Sequence, residues 1–230
     1  VGIKLAHFFG FDWKPTEHAV EAGKLADIPV MIDFGGSQPE LSLQTLLLEK
    51  LRPGDIFTHT YAHVEGRTPL VNKNGKVENF AFEAQKRGVI FDVGHGGGSF
   101  LFKQAIPAIE QDFKPNTIST DLHTGSMNGG MKDIINVMSK FLNMGMSINE
   151  IINATTWYPA KVIKREDLGN LSVGSVADIV ILNLREGDFG FIDTQGKKMK
   201  GNKKLECELT IRDGKVVYDL NGLAASLWNK

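Results

Sequence analysis

The chain has 230 residues, 42% of them hydrophobic and 23% charged, with a formal net charge of −1. This is the make-up of an ordinary globular protein of one domain or one and a half, and it excludes a strong field toward nucleic acid or an anionic membrane. With Cys207 as its one cysteine the chain forms no internal disulfide and no cysteine-based zinc site, so its six histidines and its carboxylates must carry any metal chemistry.

Residues 1–6 read as a strand, and 15–27 as a helix with Pro15 near its start. A second strand covers 28–34, a helix 40–52 and a third strand 55–61. An excursion over 64–78 holds a hairpin turn at Asn74-Gly75. Residues 79–87 are helical, 89–93 the fourth strand, 99–111 helical and 117–122 the fifth strand. Helices follow at 131–144 and 148–163. Strands alternating with helices indicate a parallel sheet, and their nearly continuous apolar runs suit burial on both faces. No Gly-x-Gly-x-x-Gly fingerprint marks a dinucleotide fold. The expectation is α/β: a partial (β/α)₈ barrel, about strands 4 to 8 of eight, over residues 1–167. From 168 to 230 the strands at 178–184, 189–193 and 209–218, with turns at Glu186-Gly187, Gln195-Gly196 and Asp213-Gly214, predict part of a small C-terminal β-sandwich domain.

No apolar run approaches the ~20 residues of a membrane helix, and no secretion signal is visible. The chain starts at Val1 inside an apolar run without an initiator Met, which reads as a piece of a longer protein. Localisation is therefore open, with a cytoplasmic setting only the default.

Polar residues fall on the strands in an orderly way. Lys4 lies in the first, Asp33 closes the second, His59 is in the third, His95 follows the fourth, and Asp121 and His123 end the fifth. In a parallel barrel the C-terminal strand ends converge on the mouth where active sites sit. One histidine in a strand is more often a satisfied core residue than a ligand, but five strands in a row are harder to explain as structure alone. An ammonium inside an apolar strand is costly unless paired or neutralised. Lys4 is therefore read either as carbamylated, bridging two metals, or as ion-paired with a nearby carboxylate. Histidine and carboxylate together suit zinc or a related divalent ion, which lowers the pKa of bound water to roughly 7.

The strand Gly2-Ile3-Lys4, the stretch Arg52-Pro53-Gly54-Asp55-Ile56-Phe57-Thr58-His59, and the blocks Gly94-His95-Gly96-Gly97-Gly98-Ser99-Phe100 and Ser119-Thr120-Asp121-Leu122-His123 resemble the amidohydrolase superfamily, in its dihydroorotase-like amidohydrolase/deacetylase group. The segment Asp167-Leu168-Gly169 to Ala177-Asp178-Ile179-Val180 resembles the family's return into its C-terminal β-domain. The resemblance implies that Lys4 is the carbamylated lysine, His59 a ligand of the second metal, and Asp121 both ligand of the first metal and proton shuttle. It places His95, Gly96 and Gly97 in the substrate pocket, with His123 as orienter or substrate contact and His63 facing the pocket.

Two departures stand out. The family's His-x-His pair has no counterpart, and Asp33 stands where a histidine is usual. Either Asp33 ligates metal, or His7 does so instead, or the second site is lost. One or two divalent ions, zinc foremost, are expected. The implied activity is hydrolysis of an amide or ester bond in a small molecule, closer to deacetylation than to ring opening. No nucleic-acid or membrane partner is implied, and a homo-oligomer is left open. The rival readings are a ligand-depleted relative that serves binding or assembly, and a phosphate-binding barrel whose glycines at 95–99 cradle an anion.

Overall fold

The computed structural model describes residues 1–8, 10–34 and 40–228, without the side chains of His7 and Phe34. A parallel sheet runs in the order β1 (Ile3–Phe8), β2 (Val30–Phe34), β3 (Ile56–Phe57), β4 (Ile90–Phe91). Its register aligns Ile3 with Val30, Met31 with Ile56 and Ile56 with Ile90. Between strands lie α1 (Lys14–Leu25), α2 (Leu43–Thr45, running on as a π-helical turn Leu46–Lys50), α3 (Asn79–Arg87) and α4 (Phe102–Glu110). The hairpin at Asn74-Gly75 forms, closed by an antiparallel bridge between Val71 and Val77.

The expected fifth strand is reduced to one parallel bridge, Asp92 to Thr117. Backbone bonds from Val93 to Thr117, His95 to Ser119 and Gly96 to Thr120 still carry the segment alongside the chain beyond β4. Two more helices, α5 (Ile134–Asn143) and α6 (Ile148–Thr155), precede a short α7 (Trp157–Val162). The one helix expected over 148–163 is thus two. Pro159 has no N–H to give the Thr155 carbonyl, so the chain breaks at Thr156 (φ −127°, ψ −78°) and restarts with proline in its first turn.

Val30, Ile32, Phe57, Phe91, Val93 and Ile118 form the buried centre of the parallel sheet. Against it lies an aromatic cluster in which Phe91 and Phe113 meet edge to face at 5.0 Å, and Tyr61 meets Phe100 at 6.0 Å.

An antiparallel sheet follows, β5 (Ile179–Ile192), β6 (Lys198–Arg212) and β7 (Lys215–Asp219). The expected turn at Glu186-Gly187 is instead a bulge inside β5, while Gln195-Gly196 and Asp213-Gly214 are turns. The sheet docks on α5. Asn143 donates to the Lys203 carbonyl at 2.7 Å and Ser139 Oγ accepts from Leu205 N at 3.0 Å. Among the described residues no helix is long and apolar enough to cross a membrane.

Candidate active site

The site grows from the ends of β2, β3 and the 117–121 segment. Asp33, near the end of β2, is buried, and His59, two residues past β3, is buried beside it. His59 Nε2 stands 3.3 Å from Asp33 Oδ1. Its Nδ1 lies 2.6 Å from the Gly94 carbonyl, so that nitrogen carries the proton. Burial pulls the His59 pKa down, but the hydrogen bond and charge of Asp33, the Gly94 carbonyl and the Asp121 charge hold it above its ordinary value. Two non-glycine residues here sit in the left-handed region, His59 at φ 58° and Asp121 at φ 48°. Such conformations persist only where surrounding contacts over-determine them, and they gather at functional sites.

The contacts that hold them are visible. Gly94 leaves no room for a side chain, because a Cβ there would collide with Thr58 Oγ1 and meet His59 Nδ1 at 2.7 Å. Gly96 (φ 49°) stands the same way against Asp121, whose Oδ2 would be 2.6 Å from such a Cβ. The Arg67 guanidinium donates to the His59 carbonyl at 2.8 Å and lies 5.0 Å from the centre of the Phe57 ring; burial lowers its pKa to about 10. Beneath them the buried Asp92 accepts from Thr58 Oγ1 at 2.7 Å, Ser119 Oγ at 2.8 Å and Thr117 Oγ1 at 2.6 Å. Sequence reasoning missed Asp92 and Arg67. The hydroxyl-rich flanks Thr58 and Ser119 were the available signal for Asp92; nothing local marked Arg67.

Several expectations change. Among the described residues Lys4 is exposed. Its strand β1 is the outer strand of the described sheet, its side chain is 44% exposed, and Nζ lies 3.9 Å from Asp33 Oδ2. Lys4 thus faces the Asp33 carboxylate. His95 is fully buried behind the glycine turn rather than open to a pocket. Its ring stacks on Phe100 at 4.4 Å, Nδ1 donates to the Gly96 carbonyl at 2.9 Å, and Nε2 accepts from Lys140 Nζ at 2.7 Å. Both nitrogens are thus spent inside the protein, and a direct substrate contact falls away. Gly97 and His123 are exposed, and the His123 ring accepts from Gly125 N at 3.1 Å. His63 is exposed beyond β3. The His7 side chain lies outside the described residues.

Among the described residues no three His, Cys, Asp or Glu side chains form a cluster ready for a metal. The His59–Asp33 pair nevertheless fits one edge of such a site. Ligands of a tetrahedral ion with bonds of about 2.0 Å stand about 3.3 Å apart, which is the Nε2–Oδ1 separation. The Gly94 carbonyl fixes the His59 tautomer as outer contacts do for metal-bound histidines.

The amidohydrolase family pattern matches residues 102–217. The chain belongs to the amidohydrolase family. It is 36% identical over 210 residues to a deacetylase of Brucella anthropi, covering 90% of this chain and 51% of that protein. A deacetylase of Agrobacterium fabrum is 34% identical over 200 residues, covering 85% of this chain and 48% of its own. The chain thus spans about half the length of these curated relatives. Among solved structures, an adenine deaminase superposes with a TM-score of 0.86 at 28% identity, covering 95% of this chain and 60% of that one. A dihydroorotase superposes at 0.83 with 29% identity, covering 95% and 58%.

Proposed function

We propose that this amidohydrolase is a metal-dependent hydrolase of an acyl C–N or ester bond in a small molecule, of deacetylase type. The observation that carries the reading is the His59–Asp33 pair, 3.3 Å apart at the ends of neighbouring parallel strands, with Asp121 close enough to act on the same imidazole. The likeness to two deacetylases supports the reaction class. In this reading the parallel sheet is part of a (β/α)₈ barrel, about strands 4 to 8, over residues 1–167. Residues 168–230 are then part of a β-sandwich domain.

His59 Nε2, Asp33, Asp121 and Lys4, once carbamylated, would hold one or two divalent ions, zinc foremost. When bound, such an ion would polarise the substrate carbonyl and supply water that loses its proton near neutral pH. The Asp121 carboxylate would accept a proton from the attacking water and return it to the leaving nitrogen or oxygen. Gly96, with no side chain, lets the Asp121 carboxylate sit against the backbone of the 94–98 turn. Gly97 and His123, both exposed, would face substrate.

Metal analysis of the full-length protein tests this. One to two equivalents are expected, with loss of about one in Asp33→Ala or in His7→Ala. If neither variant loses metal, both substitute-ligand assignments fail; if the wild type holds none under metal-replete conditions, the hydrolase reading fails. Gly96→Ala is a second test. The added methyl would collide with Asp121 Oδ2 at a backbone conformation that itself disfavours a side chain by roughly 1–2 kcal/mol. A misplacement on the scale of an ångström is expected to lower kcat by about 10²-fold, measured by steady-state kinetics on an acyl ester.

A further inference from the structure

Lys140 lies in the last turn of α5 and is fully buried. Its Nζ makes three short contacts: 2.7 Å to His95 Nε2, 2.6 Å to the Gly130 carbonyl and 2.8 Å to the Ile192 carbonyl. It also stands 5.5 Å from the centre of the Phe100 ring. An ammonium has three protons and no lone pair, so these three acceptors use it completely. A neutral amine has two protons and would leave one acceptor facing a lone pair. Burial pulls the Lys140 pKa down to about 7, against the opposing charges of Asp193 and Asp133. His95 must then be neutral. Burial and the Lys140 charge drive its pKa down to about 3. With Nε2 taken as acceptor, the ring proton is on Nδ1 and goes to the Gly96 carbonyl at 2.9 Å.

The three acceptors belong to three different parts of the molecule. His95 begins the glycine turn whose Gly96 packs against Asp121. Gly130 ends the loop that leaves the Asp121–His123 block, and Ile192 closes β5 of the antiparallel sheet. The next residue, Asp193, accepts from Phe102 N at 3.2 Å, and Thr194 N donates to the Phe100 carbonyl at 3.0 Å. The end of β5 is thus fastened to the chain just after the glycine turn, with Lys140 beneath the junction.

The geometry points to Lys140 as a positioning residue that holds Asp121 in place through the His95 imidazole, tying the antiparallel sheet to the active-site turn. It touches no reacting atom. Deleting its charge frees the His95 tautomer, and the Gly96 peptide against Asp121 loses its anchor. A core lysine that only fills space would have neither effect. The activity part of this inference rests on the hydrolase reading above; the imidazole part does not.

The test uses the full-length protein with ¹⁵N-histidine labelling, and 4-nitrophenyl acetate as the acyl probe. Wild type should show His95 as a single neutral Nδ1–H tautomer. In Lys140→Met that signature should be lost, and kcat should fall at least about tenfold with KM changed less than about threefold, the pattern of lost transition-state positioning. His95→Gln should lose a similar factor, and the double variant no more than the worse single one, because both act along one path. Retention of the tautomer in Lys140→Met overturns the inference, as does kcat within twofold of wild type, or additive losses. If wild type does not hydrolyse the probe, the hydrolase reading is what fails, and the imidazole spectrum alone decides for or against Lys140. If Lys140→Met does not fold, Lys140→Gln, which keeps a donor for only one or two acceptors, takes its place in every arm with the same outcomes.

Discussion

Replacing Asp121 by Asn in the full-length protein is expected to lower kcat for acyl hydrolysis by about 10²–10⁴-fold, the range lost when a positioned proton acceptor is removed. The fold should be untouched. Asp121 is exposed, its φ of 48° is one that Asn adopts readily, and the Ser126 hydroxyl bond at 3.2 Å goes to its backbone carbonyl rather than its side chain. The amide has the same size against Gly96, so the turn keeps its shape. What changes is that the amide oxygen can neither take up a proton at neutral pH nor carry the charge that acts on His59. Steady-state kinetics with a parallel thermal melt read the two effects apart. Activity within tenfold of wild type, at an unchanged melting temperature, would remove Asp121 from the proton path and leave it a structural residue of the loop.

Where local chemistry decided the outcome, the sequence could be read directly. Helix α3 was placed to its ends, because Gly88 at φ 101° supplies the left-handed stop that glycine adopts at least cost. The Asn74-Gly75 hairpin and the Asp213-Gly214 turn followed from their dipeptides. The alternation of strands and helices carried the parallel sheet, and the polar residues at successive strand ends carried the Asp33–His59 pair.

Where burial by distant residues decided, local reading failed. His95 occupies a glycine turn that looks open, but Phe100 and Lys140 close over its inner side. Nothing local marks Lys140. Its acceptors lie 10 residues away at Gly130, 45 at His95 and 52 at Ile192, and only the folded arrangement reveals that they converge. The site was legible as a set of residue types; the ranking of those residues by contact was not.

Asp92 shows what that ranking adds, and Asp92→Ala is expected to have the largest effect on stability of any single change near the site. Its carboxylate, 3% exposed, gathers three hydroxyls, Thr58 from the β3 end and Thr117 and Ser119 from the segment beside it. Hydrogen bonds to a charged group contribute about 1.5–3 kcal/mol each, and a hydroxyl left buried without an acceptor costs a further share. The three are coupled, so their losses will not add fully. A loss of about 3 kcal/mol or more is expected, a large fraction of the 5–15 kcal/mol typical of a domain. Asp92→Asn should cost far less. A hydroxyl can accept as well as donate, so Thr117 or Ser119 can turn to meet the new N–H. Chemical denaturation of both variants measures the difference. The same change should loosen the site, since Thr58 precedes His59 and Ser119 Oγ accepts from Gly94 N at 3.1 Å. Bound metal should therefore fall in Asp92→Ala and be retained in Asp92→Asn. Equal stability of the two variants would show that the hydroxyls find other partners and that Asp92 is not the centre that fastens β3 to the Asp121 segment.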